Sequence, residues 1–264
     1  MEKYKKIRKT VYSVQLKRWS HFINIKSPYT LVKSVYYMET ASLFLFLTQK
    51  IIKSPNFITF LYALTGVMGA FLLHSSQEVL FYIGIFMVFT KGTLDCSDGT
   101  LARRLNKTSF IGHVFDSYGA YVSDAAFRIV FIYYTLGYFP ELMFLFPVLS
   151  FTLLATDFRL YSDSQYVGVV LDITKDKIRD GVYENDIRRE GNRDSNLKKW
   201  YLRYVSLLDD RARSIDSLLL ILTVDFIFNY DLSILLLVIS AFIILRAIIM
   251  YIAGVYFVFK VYKG

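Results

Sequence analysis

From residue 54 onward the chain alternates long apolar stretches with short polar turns. A helix needs about 20 consecutive, mostly apolar residues to cross the hydrocarbon core of a bilayer. Six stretches approach that requirement, at roughly 56–76, 79–101, 108–135, 140–157, 214–230 and 232–259. The first opens with Ser54-Pro55-Asn56, and proline suits the first turn of a helix because the donor it lacks has no partner there. Upstream, Thr10–Leu16 and Tyr29–Phe46 mix polar and apolar positions in the manner of amphipathic helices on a membrane surface. The pattern predicts an all-α, polytopic membrane protein with six transmembrane helices preceded by amphipathic cytoplasmic helices. Four segments follow: a basic cytoplasmic and membrane-surface segment (1–53), helices one to four (54–157), a cytoplasmic insertion (158–213), and helices five and six with a basic tail (214–264).

Composition agrees, since 55% of the 264 residues are hydrophobic, more than a soluble domain of this length carries. The formal charge of +9 raises the question of nucleic acid, but no groove-reading element with interleaved aromatics accompanies it. The cations are distributed instead as a membrane protein distributes them. Residues 1–53 hold eleven Lys and Arg against Glu2 and Glu39 alone, whereas the turns at 74–78, 135–141 and 228–231 hold none. By the positive-inside rule both termini face the cytoplasm, with the lipid bilayer as partner and no nucleic acid. The 157–216 stretch, with twelve basic and twelve acidic residues, is too charged for lipid, and Ser195–Arg213 reads as a helix running into the fifth span. Cys96, the single cysteine, cannot form an internal disulfide and reads as a packing residue.

Ionisable residues inside membrane helices are functional candidates, and Asp95, Asp98, Asp116 and Asp124 lie in or beside the second and third spans. Three residues apart on a helix, Asp95 and Asp98 share a face and can converge on one cation. Gly99 and Ala102 keep that face low, and Gly112 does the same one turn before Asp116. Carboxylates without His or Cys suit a hard ion such as Mg²⁺ or Mn²⁺, which also binds phosphates. The competing reading is a set of helix-end aspartates paired with Arg103, Arg104 and Lys107. Lys91, four residues before Asp95, reads as a counterion for the aspartates.

Asp95-Cys-Ser-Asp98-Gly99-Thr-Leu-Ala102-Arg103, then eight residues, then Gly112-His-Val-Phe-Asp116 resembles the signature of the CDP-alcohol phosphotransferases at seven fixed positions. The Pro55–Thr59 opening also resembles that family's first helix. The resemblance implies a six-helix fold, a homodimer, and a transferase that moves a substituted phosphate group from a CDP-linked donor to an alcohol acceptor and releases CMP. It implies that Asp95, Asp98 and Asp116 hold one or two divalent ions, Mg²⁺ or Mn²⁺, and that Asp95, Asp98, Gly99, Ala102, Arg103 and Gly112 form the CDP site.

One position departs from the pattern: the family's last aspartate, its base, falls on Ala120, which offers neither a proton acceptor nor a ligand atom. Asp116 and Asp124 are then the catalytic candidates, Asp124 lying one turn and about 6 Å further along the helix. Asp124 could instead pair with Arg128, four residues on. His113 and Tyr118 are further acid-base candidates that read better as packing or hydrogen-bonding elements. Arg246, inside an apolar span, needs an anion: a phosphate on the acceptor, with Arg159 and Arg128 as helpers, or Asp225. Two other functions compete, a catalytically silent protein that binds CDP-lipid or a partner, and a cation transporter.

Overall fold

A computed structural model describes residues 2–24, 28–48, 50–156, 211–228 and 230–263. Arg159, most of the expected insertion and the expected helix at Ser195–Arg213 up to residue 210 lie outside the described residues. Among those described the secondary structure is helical throughout, with no strand. The helices are α1 (Glu2–Asn24), α2 (Pro28–Thr48), α3 (Pro55–Leu72), α4 (Glu78–Arg104), α5 (Phe110–Gly137), α6 (Phe146–Thr156), α7 (Arg211–Phe228) and α8 (Ser233–Lys263), with a 3₁₀ segment at Pro140–Leu145 leading into α6.

Among the described residues each expected span is helical, the fourth as a 3₁₀ segment followed by α6, but only α3 and α4 are both long and apolar enough to cross a membrane. Charge explains part of the difference, since α5 carries Asp116, Asp124 and Arg128 and α7 carries Arg211, Arg213, Asp216 and Asp225. Pro140–Ala155, spanning the 3₁₀ segment and α6, and Ser233–Ile249, the first part of α8, are shorter apolar helical stretches. Phe57, Phe60, Leu64, Met68 and Phe71 lie exposed along α3, a face that water would not leave uncovered.

The chain divides into two compact units. The first comprises residues 1–127 and 197–220, and the second 128–196 and 221–264. In the first, α3 packs along α4 and the α1–α2 pair packs against α4. Ile7, Val11, Met38, Ala41, Leu45, Ile58, Cys96 and Leu101 form its buried apolar cluster, so Cys96 is the packing residue the sequence suggests. Tyr37 donates to the Phe89 carbonyl at 3.1 Å, and the hydroxyls of Thr40 and Thr93 lie 2.8 Å apart. Lys33 of α2 pairs with Asp216 of α7. At Gly66 a Cβ would collide with the Ser123 side chain, so glycine is what lets α3 and α5 approach.

The second unit packs α6 against α8. Its polar centre is Asp225, 1% exposed, which accepts hydrogen bonds from the hydroxyls of Tyr134 at 2.7 Å and Tyr138 at 2.6 Å and from the Leu232 N–H at 3.3 Å.

Candidate metal and nucleotide site

The site forms where α4 ends and α5 begins. Asn106 adopts φ 53°, the left-handed conformation that closes helices, and the Lys107 N–H then reaches back to the Ala102 carbonyl at 2.8 Å. Three residues later α5 opens on Ser109, whose hydroxyl accepts the Gly112 N–H at 3.0 Å and caps the first turn. These two local signals reverse the chain within a few residues and return Asp116 beside α4.

Asp95, Asp98 and Asp116 each offer a carboxylate oxygen, and the three oxygens lie within 4.8 Å of one another. Asp98 is buried and the other two are half-buried. Thr59 of α3 donates to Asp98 Oδ2 at 2.6 Å, and the Gly99 N–H donates to its Oδ1. Three carboxylates in so small a volume repel one another, which disfavours the arrangement unless a cation offsets it. Their all-oxygen donor set and spacing fit a hard divalent ion. Thr59 then plays the part of an outer partner that fixes a ligand's orientation. The sequence reading missed this residue, although its place one turn after Pro55 in the family-like opening was a signal.

The remaining candidates are placed unevenly. The Arg103 guanidinium hangs over Gly99, where a Cβ would meet its Nη2 at 2.9 Å. Ala102 and Gly112 are half-buried near the same helix ends, while His113 and Tyr118 are exposed. Asp124 lies outside the aspartate trio and is buried in an ion pair with Lys91, whose Nζ stands 2.7 Å from its Oδ1 and 3.1 Å from the Ser123 hydroxyl. Lys91 also sits 5.9 Å from the Tyr62 ring centroid. Lys91 therefore serves as a counterion for an aspartate, but across α4 and α5 rather than along its own helix. Arg128 and Arg246 belong to the second unit, Arg128 buried and Arg246 half-buried. Asp225, considered above as a partner for Arg246, is bonded by two tyrosines.

Residues 52–181 match the family model described as CDP-alcohol phosphatidyltransferase. Such enzymes are membrane proteins that transfer phosphate-linked groups from CDP-alcohols to acceptors in lipid synthesis, typically with a divalent metal. Neither a curated protein nor a solved structure matches the chain.

Proposed function

We propose, for a chain that belongs to the CDP-alcohol phosphatidyltransferase family through residues 52–181, a multi-pass membrane transferase acting on a CDP-linked donor and an alcohol acceptor. The donor is CDP-diacylglycerol or a soluble CDP-alcohol. The observation that carries this reading is the convergence of Asp95, Asp98 and Asp116 on the ends of two helices. In it these carboxylates hold Mg²⁺ or Mn²⁺ against the donor's pyrophosphate. An ion held there would supply neutralisation of phosphate charge and polarisation of the bond to the leaving group. Gly99, Ala102, Arg103 and Gly112 line the CDP moiety, with the Arg103 fork suited to an anionic oxygen pair.

Asp116 and Asp124 flank Ala120 and act as the catalytic carboxylates. The acceptor oxygen bonds to the donor's β-phosphorus, the phosphorus–oxygen bond to CMP breaks, and the hydroxyl proton passes to Asp124. Arg128, Arg159 and Arg246 bind a phosphate on the acceptor. Six spans place both termini and the site on the cytoplasmic side, a topology supported by turns free of Lys and Arg.

A second reading is favoured by the pairing of Asp124 with Lys91. A carboxylate neutralised by lysine is a weak proton acceptor, and with Ala120 in the usual place the protein would bind CDP-lipid without turnover. Measuring CMP release by the purified full chain, with Mg²⁺ or Mn²⁺ and a panel of donors and alcohols, separates the two. Turnover that Asp124→Ala abolishes supports the transferase. Nucleotide binding with no CMP release, and activity gained in Ala120→Asp, supports the silent protein.

A further inference from the structure

The two faces of α1 have opposite chemistry. Ile7, Val11 and Gln15 form a stripe at helical spacing that is almost completely buried, at 2%, 0% and 0% exposure. Lys3, Lys5, Lys6 and Lys9 lie exposed and line one shallow depression, with no acidic partner among the described residues. Arg8, the other cation of this half of α1, is taken up by Glu39 of α2, whose carboxylate its Nε meets at 2.9 Å.

The buried stripe ends on the site helix. Gln15 donates its amide to the main-chain carbonyl of Cys96 at 3.3 Å, between Asp95 and Asp98. That carbonyl already receives the Thr100 hydroxyl at 2.8 Å, and Gln15 Oε1 is buried with no hydrogen-bond partner among the described residues. Turning the amide over would set two oxygens against each other and orphan the nitrogen instead. A buried acceptor without a donor opposes the docking that brought it there. Docking of α1 is thus favoured by its apolar stripe and opposed at its far end.

Ile7 and Val11 belong to the same buried cluster as Cys96 and Leu101, at the end of α4 that carries the aspartates. That end adjoins the apolar face of α3, which calls for acyl chains, so the neighbouring cations lie where headgroups would be. Tyr4, the aromatic between Lys3 and Lys5, packs edge-on against Phe46 at 5.7 Å and donates to Glu39, so it is engaged within the protein rather than offered as a stacking platform for a nucleic acid.

We infer that Lys3, Lys5, Lys6 and Lys9 form a docking surface for anionic lipid headgroups, and that their binding clamps α1, through Gln15, onto the segment of α4 that holds the aspartates. Each lysine near an anionic leaflet adds an attraction that favours the docked state and is screened by salt. The inference rests on the membrane setting and not on turnover, so it stands or falls separately from the transferase reading.

The test is amide hydrogen exchange on the full chain in nanodiscs of phosphatidylcholine, with and without phosphatidylglycerol. Residues 2–16 and 93–100 exchange about tenfold more slowly in the anionic discs, and molar salt or the variant with all four lysines changed to Gln removes the difference. Gln15→Leu, which deletes the orphaned acceptor, protects α1 in neutral discs as well. Equal exchange in the two membranes overturns the inference. So does a lipid response retained by the four-lysine variant, or equal protection by inorganic phosphate in neutral discs.

Discussion

Two buried polar centres, one in each unit, show what a carboxylate in an apolar setting does and does not signify. Asp225 is almost wholly enclosed, yet two phenols and a main-chain N–H satisfy it. Asp95, Asp98 and Asp116 are less enclosed as a group, but they place three like charges within 4.8 Å. Neutral donors suffice for the first arrangement, whereas the second calls for a cation. Burial alone would have ranked Asp225 above the trio, and the crowding of charge reverses the order.

The comparison breaks most visibly in activity. Asp116→Asn should reduce metal-dependent CMP release on the order of a thousandfold, the several kcal/mol that a bound metal supplies. Asp225→Asn should leave that rate within about twofold, since only substitutions that touch transition-state contacts change it. Comparable losses in both variants would erase the distinction.

Next in size is the ion pair beneath the trio. Lys91→Met leaves Asp124 buried without this partner and should cost about 3 kcal/mol of stability, much of it recovered in the double variant with Asp124→Leu. Thermal unfolding of the single and double variants in detergent measures this. A Lys91→Met protein as stable as the parent would show that the pair contributes nothing.

Asp225→Asn follows, with an expected cost of about 1 to 2 kcal/mol from weakened tyrosine hydrogen bonds, read as a lower unfolding temperature with unchanged metal affinity.

The smallest effect concerns the clasp between α1 and α2. The Arg8 hydrogen bond, reinforced by Tyr12 and opposed by slight burial, holds the Glu39 carboxyl down at about 2, below its ordinary 4.5. A depressed folded-state value contributes stability that is complete above 4.5 and is lost as pH falls from there toward 2. The protection factors of α1 amides, that is, exchange corrected for its intrinsic pH dependence, should therefore fall on acidification from pH 5 to pH 3, and Glu39→Gln should flatten that trend. An unchanged trend in the variant would assign it elsewhere.

Much of the trio was legible because helix periodicity is local: Asp95 and Asp98 had to share a face, and on the next helix Asp116 had to lie one turn after Gly112. The helices themselves were legible from apolar runs, with α3 beginning at Pro55 as expected. What sequence could not give is the partner across a helix interface. Lys91 is one turn from Asp95 along its own helix, yet the return of α5 brings Asp124 within reach instead. Asp225 shows the same limit, since Tyr134 and Tyr138 lie about 90 residues away and nothing in the pattern around either marks them as partners. Thr59 reaches Asp98 over a separation of 39 residues.

The central claim is that the three aspartates form a metal site, and direct Mn²⁺ binding tests it without requiring turnover. Calorimetric titration of the purified full chain should show saturable binding that Asp98→Asn weakens about a hundredfold, with Asp225→Asn unchanged. Binding of equal affinity in the parent and Asp98→Asn proteins would contradict the account.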